Sequence, residues 1–200
     1  MNQAPPDEVA AFVLAGGKST RMGKDQAFVE FEERTLLAWA IDLARSVAAE
    51  VRIVGSREKF VSIAPVVEDI FRDCGPLGGI HAALKASEAE LNLVLAVDMP
   101  FVSQAFLRYL INEARHAPRA AVTIPHADKG WQPLCAIYRI EFADAAEKAL
   151  RAGQNKIDRL FDEVHTRAIG EDEMLRAGFS LDLFRNLNTR VELEREQRRA

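Results

Sequence analysis

The sequence predicts a three-layer α/β/α sandwich on a mainly parallel sheet. Three observations carry this. Short apolar runs alternate with stretches of helical period along most of the 200 residues, the pattern of repeated βαβ units. The run Leu91 to Val97 is almost wholly apolar, as in a strand covered on both faces. A hydrophobic content of 48% over this length suffices for one sizeable packed core and is too high for a disordered chain.

Taken in order, Met1 to Glu8, with Pro5-Pro6, read as a frayed leader. Residues 10–15 form the first strand. Over 35–48, Leu36, Leu37, Ala40, Ile41, Ala44 and Val47 recur at helical spacing, with Thr35 placed to cap. Val51 to Val54 and Pro65 to Val67 are short strands. Gly75-Pro76 begins a loop that leads into a helix over 78–87. After the strand at Leu91 to Val97, a helix spans 103–116, with Ser103 as N-cap and Phe106, Leu107, Leu110 and Ile111 on one face. Ala120 to Ile124 and Leu134 to Tyr138 are further strands. Residues 141–152 and 155–162 are helices, Thr166 to Ile169 is a strand, and 171–177 is a small helix. Glu192 to Ala200 is dense in charge and reads as a solvated helical tail. The expected organisation is a leader over 1–8, a single domain over 9–193 and a tail over 194–200, with no repeat or linker. Right-handed crossovers reduce the topology to a doubly wound, Rossmann-like sheet. In such sheets ligands sit beyond the carboxyl ends of the strands, which places Gly16, Asp69 and Asp98 on one rim.

Composition narrows the function. A net charge of −4 offers no global attraction for nucleic acid or an acidic membrane surface. Cys74 and Cys135 are far apart and lack metal-ligand spacing, so a reducing compartment is expected. There is no basic segment ahead of an apolar one and no apolar run long enough to span a bilayer, which points to the cytoplasm. His81, His116, His126 and His165 show no spacing suited to a metal or a catalytic triad. Ser19 lacks the Gly-x-Ser-x-Gly elbow of a nucleophilic hydrolase.

The densest chemistry lies at the end of the first strand. Ala10 to Leu14 run into Ala15, Gly16 and Gly17, and Lys18, Arg21 and Lys24 follow. Glycines let backbone N–H groups approach phosphate oxygens, and the cations neutralise them, so a nucleoside triphosphate is the expected ligand. The same residues also make a plain tight turn with solvated charges. Neither the P-loop nor the dinucleotide fingerprint is present. Asp98 ends a buried apolar strand just before Met99-Pro100, and a desolvated carboxylate needs a partner. Mg2+ is one such partner; a helix cap or an arginine is the other. Asp69 either holds a base or ribose edge or caps a turn. Gly78-Gly79 either admits a nucleotide to the backbone or simply starts a helix. Trp131, beside Gln132, either stacks on a flat ring or packs within the protein. Asn188 either contacts a substrate or makes an Asx-turn.

Leu14-Ala15-Gly16-Gly17-x-Ser19-x-Arg21-Met22-Gly23 resembles the signature of the molybdenum cofactor guanylyltransferases of the nucleotidyltransferase superfamily. The likeness continues in order through Pro65-Val66-Val67-Glu68-Asp69, Gly75-Pro76-Leu77-Gly78-Gly79 and Val94-Leu95-Ala96-Val97-Asp98-Met99-Pro100. It ends with Gln132-Pro133-Leu134 and Asn186-Leu187-Asn188-Thr189. The resemblance implies a nucleotide-diphospho-sugar transferase-like fold and a Mg2+-dependent transfer of GMP from GTP to molybdenum-molybdopterin, with transient contact to molybdoenzymes or cofactor carriers. It implies Leu14, Ala15, Gly16, Gly17, Gln26, Asp69, Gly78 and Asp98 at the nucleotide. Arg21, Lys24 and Asp98 would be catalytic, Asp98 would hold the metal, and Gln132 and Asn188 would face the pterin.

One position departs from the family pattern. Gln26 stands where relatives carry a lysine on the triphosphate. A hydrogen bond to a charged group contributes about 1.5–3 kcal/mol, a factor of about 10 to 150 in binding or rate. Either Lys24 supplies the charge, or the enzyme is slow, or the protein binds nucleotide without turnover. A cytidylyl- or sugar-phosphate-directed transferase is the other alternative, and the double glycine favours the guanylyl branch.

Overall fold

The computed structural model describes residues 8–16, 26–31, 33–127 and 130–185. The leader through Asp7, the cationic part of the glycine loop from Gly17 to Asp25, and the tail from Asn186 lie outside the described residues.

The strands are β1 (Val9–Leu14), β2 (Glu30–Phe31), β3 (Arg34–Thr35), β4 (Glu50–Val54), β5 (Val66–Val67), β6 (Leu91–Ala96), β7 (Val122–Ala127), β8 (Gly130–Trp131), β9 (Cys135–Tyr138) and β10 (Thr166–Gly170). The helices are α1 (Leu36–Arg45), α2 (Arg57–Phe60), α3 (Gly75–Lys85), α4 (Gln104–His116), α5 (Phe142–Arg151), α6 (Leu160–Glu163) and α7 (Glu171–Arg176). One sheet runs in the order β10-β7-β9-β6-β1-β4-β5, with β8 paired to β7 off this path. β1 lies between β4 and β6, parallel to β4 with Val13 opposite Ile53 and parallel to β6 with Val13 opposite Leu95.

The alternation of side chains along a strand divides the core into two layers. Val9, Ala11 and Val13 of β1, with Leu91, Leu93 and Leu95 of β6, pack on one face with the apolar sides of α1 and α4. Ala10, Phe12 and Leu14, with Val94, pack on the other face with α3 and α5. Both faces of β1 and β6 are therefore covered, which explains why these segments read as apolar runs instead of alternating ones. Asn92, the one polar residue in the β6 run, is fully buried. Its amide donates to the Ala89 and Tyr138 carbonyls at 3.2 Å each, tying β6 to β9.

The expected sandwich is present, and four details differ from the sequence reading. β9 runs antiparallel to both β6 and β7, so the sheet is mixed although its β10-β7 pair and the β6-β1-β4-β5 block are parallel. The loop expected at Gly75-Pro76 is the first turn of α3, where the fixed φ of proline suits a helix start. The helix expected over 155–162 divides into a 3-10 turn, Ile157–Arg159, and α6. The small hairpin β2–β3 and the single-turn α2 have no counterpart in the sequence reading, since two to four residues carry no periodicity. The hairpin is held to α1 by the Trp39 indole N–H, which donates to the Phe31 carbonyl at 3.2 Å.

Both expected caps form. The Thr35 hydroxyl accepts from Ala38 N and the Ser103 hydroxyl accepts from Phe106 N, each at 3.2 Å. Ser103 lies at the end of the segment that follows the β6 rim, so its cap fixes the direction in which α4 leaves that rim. Ser103→Ala is expected to cost about 1 kcal/mol and lower the melting temperature by about 2–4 °C. Urea denaturation of the two proteins checks this, and an unchanged midpoint contradicts it.

Candidate active site

At the carboxyl end of the parallel block, the strand ends are tied together. Ala15 N donates to the Val54 carbonyl at 3.1 Å, Gly55 N to the Val67 carbonyl at 3.0 Å and Val97 N to the Leu14 carbonyl at 3.2 Å. These bonds extend the ladder past the last strand residues and hold four chain segments as one rim. Above the rim lies a cleft of about 490 Å3. Leu14 ends β1 and Ala15 and Gly16 follow it, Asp69 follows β5, Asp98 follows β6, and Gly75 and Gly79 come from the start of α3; all of them line it.

Gly16 is exposed at the mouth. A Cβ there would lie 3.5 Å from the Gly55 Cα and 3.6 Å from the Val54 carbonyl oxygen, which is ordinary contact. Packing within the chain therefore does not demand glycine at this position, and the bare backbone bears on what enters the cleft. Gly78 is the opposite case. A Cβ there would meet the Phe71 carbonyl oxygen at 2.8 Å, so its glycine serves the close packing of α3 on the preceding loop. Gly79, one residue on, lines the cleft and Gly78 does not.

The 11-residue α3 begins at this cleft. Its N-cap, Cys74, makes no side-chain capping bond. The first-turn N–H groups, which have no partner within the helix, and the positive end of the helix dipole are thus placed beside the cleft, an arrangement that favours anions.

Two half-buried carboxylates face the same space. Burial pushes the Asp98 carboxyl above the usual range, opposed by hydrogen bonds from its own backbone N–H and from Gln26. Burial alone raises Asp69. The Gln26 side-chain amide donates to Asp98 Oδ2 at 3.2 Å and joins the far end of the glycine loop to the end of β6. Neither an arginine nor a helix cap engages Asp98 among its hydrogen bonds and ion pairs between described residues. No cluster of three or more His, Cys, Asp or Glu among the described residues is arranged to hold a metal unaided. A carboxylate strained by desolvation, on a rim that also favours phosphate, matches how Mg2+ is held: by one or two carboxylates with substrate oxygens and water completing the shell.

Asp73 is a carboxylate that the sequence reading did not single out. It lines the cleft with a left-handed φ of 60°, just ahead of Gly75-Pro76. Its position before a Gly-Pro helix start was the available signal. Gln132 sits where β8 turns toward β9. Its backbone N–H donates to the Pro125 carbonyl at 3.0 Å and its amide to the Gly130 carbonyl at 3.4 Å, while Leu134 two residues on reaches the cleft. Trp131 packs edge-on against His126, with centroids 4.6 Å apart, and against Phe161 at 5.2 Å; it does not line the cleft. Gly17, Arg21, Lys24 and Asn188 lie outside the described residues. No described helix is long and apolar enough to cross a membrane.

Comparison with known proteins gives a consistent family. Residues 11–168 match the model of the MobA-like NTP transferase domain. The chain is 32% identical to the probable molybdenum cofactor guanylyltransferase of Peptoclostridium acidaminophilum, over 92% of this chain and 86% of that one. It is 40% identical to the corresponding probable enzyme of Opitutus terrae, over 76% of each. Among solved structures, molybdopterin-guanine dinucleotide biosynthesis protein A of Archaeoglobus fulgidus superposes with a TM-score of 0.81 at 27% identity, covering 94% of this chain and 97% of that one. The glycine-opened rim, the paired carboxylates and these matches together place the chain in the MobA-like NTP transferase family, as a nucleotidyltransferase.

Proposed function

We propose that the protein transfers GMP from GTP to molybdenum-molybdopterin, forming the guanine dinucleotide cofactor and releasing pyrophosphate, with Mg2+ bound at Asp98. The observation that carries this reading is the single cleft lined by Gly16, the start of α3 and the half-buried Asp98. The names of relatives, molybdenum cofactor guanylyltransferases, support this choice of acceptor and base.

The chemistry asks little covalent work of the protein. A terminal phosphate oxygen of the acceptor forms a bond to the α-phosphorus of GTP, and the bond from that phosphorus to the bridging oxygen of the β-phosphate breaks. The electron pair leaves with pyrophosphate. At neutral pH a phosphate monoester is already largely ionised, so the nucleophile needs no protein base. The chain contributes position and charge. Backbone N–H groups at Gly16, Gly17 and the first turn of α3 hold phosphate oxygens, Leu14 and Ala15 line the nucleotide's path, and Asp69 holds the nucleoside. Arg21 and Lys24 neutralise the departing pyrophosphate, and Gln132 and Asn188 contact the pterin. The Asp98-bound ion supplies charge neutralisation at the reacting phosphates. The chain's cysteine usage and composition fit a cytoplasmic enzyme without nucleic-acid or membrane partners.

Ligand-dependent melting tests base and metal together. At a free concentration of about 100 times Kd, a ligand adds about 2.7 kcal/mol, or roughly 5–10 °C for a chain of this size. GTP with Mg2+ is expected to give that shift, and CTP, ATP and UTP much less. A preference for CTP contradicts the guanylyl assignment.

Asp98 also yields a stability prediction. Its folded pKa lies above the unfolded value, so the carboxyl contributes stability below the unfolded pKa and loses it as pH rises through the folded pKa. At pH 7 the ionised group is a net cost to the metal-free fold. Asp98→Asn is therefore expected to melt higher than the parent at pH 7 without metal, to lose that advantage at pH 3, and to show no Mg2+-dependent turnover. Retained Mg2+-dependent pyrophosphate release by the variant places the metal elsewhere.

A further inference from the structure

Gln26 is more than a position that lacks a charge. Its amide bridges 72 residues of sequence to reach Asp98 Oδ2 at 3.2 Å, across the mouth of the cleft that both residues line. Gln26 itself is half-buried and opens a 3-10 turn, Gln26–Phe28, closed by Val29 N donating to the Gln26 carbonyl at 3.2 Å. The buried Ala27 and Val29 beside it belong to the core cluster packed under α1, so the turn is anchored and the amide is presented from a fixed base.

Two chemical types of donor at this reach act differently on a carboxylate. A cationic donor orients it and neutralises it, forming an ion pair with which a divalent cation must compete. A neutral amide orients one oxygen and leaves the full negative charge in place. Hydrogen-bond partners that aim a metal-binding carboxylate without touching the metal typically account for about 10- to 100-fold in metal affinity.

We infer that Gln26 is a positioning residue for the divalent cation: its neutral amide fixes the Asp98 carboxylate while leaving its charge undiminished, ready to hold the ion together with the triphosphate oxygens. The inference rests on the assignment of the cation to Asp98, and it makes the glutamine an adaptation of the metal site, with phosphate neutralisation left to other groups.

The test is Mn2+ binding to the complex of the full-length protein with one equivalent of a non-hydrolysable GTP analogue, measured by calorimetry, alongside metal-free melting. Gln26→Met removes the donor at nearly constant volume and is expected to weaken Mn2+ binding about tenfold. Gln26→Lys places a cation on Asp98 and is expected to weaken it further, toward about 100-fold, while raising the metal-free melting temperature because the desolvated carboxylate gains a counter-charge. Gln26→Asn with partial recovery relative to Gln26→Met supports the role of the amide. A merely structural role predicts that both substitutions lower the melting temperature and leave the Mn2+ Kd alone. If Asp98→Asn abolishes Mn2+ binding and Gln26→Lys binds as tightly as the parent or tighter, the inference is overturned and the metal assignment stands. If Asp98→Asn binds Mn2+ like the parent, the metal assignment itself fails.

Discussion

The structure depends on the in-register parallel pairing of β1 between β4 and β6. Because Val13 sits opposite both Ile53 and Leu95, the three strands end at the same height, and the hydrogen bonds Ala15–Val54 and Val97–Leu14 carry that alignment one step past the ladder. A slip of one residue would exchange the Val9-Ala11-Val13 face for the Ala10-Phe12-Leu14 face and turn both core layers inside out. The register that packs the core is thus the register that brings Gly16 and Asp98 to one cleft. Stability and function share a constraint here, although they pull in opposite directions at the rim. The same apolar layers that fix β6 desolvate the carboxylate at its end.

That opposition explains the character of the site. A carboxylate raised by burial is a poor structural group and a good cation ligand, since a divalent ion recovers what desolvation took away. The start of α3 brings the positive end of its dipole to the same cleft, so anionic phosphate and cationic metal are both favoured within one space. Gln26 sits between these two demands. It supports Asp98 by hydrogen bonding and adds no charge that would compete with the ion.

Much of this was legible in the sequence, for identifiable reasons. β1, β6, α1 and α4 carry strong apolar patterns because each faces a packed layer, and strand alternation with helices fixes a parallel block whose ligand rim is known in advance. That rule alone brought Gly16, Asp69 and Asp98 together, and the structure puts all three on one cleft. The reversal of β9 escaped because strand direction leaves no mark on composition. The span from Ile124 to Leu134 is nonetheless too short for a parallel crossover, and that was a usable signal. Gly78 and Gly79 could not be told apart, since one residue of helix turns a side chain through about 100° and only the packing on Phe71 shows which faces the cleft. The bond from Gln26 to Asp98 spans too much chain for any local pattern to reveal.

The central claim is that Asp98 and the glycine-opened rim hold a metal–nucleotide complex between them. Crystals grown with GTP and Mn2+ and measured for the anomalous signal of manganese test it most directly. The account predicts a manganese peak in contact with an Asp98 carboxylate oxygen and with phosphate oxygens whose other partners are the backbone near Gly16. A nucleotide bound in this cleft with its metal away from Asp98, or bound elsewhere on the molecule, would contradict it.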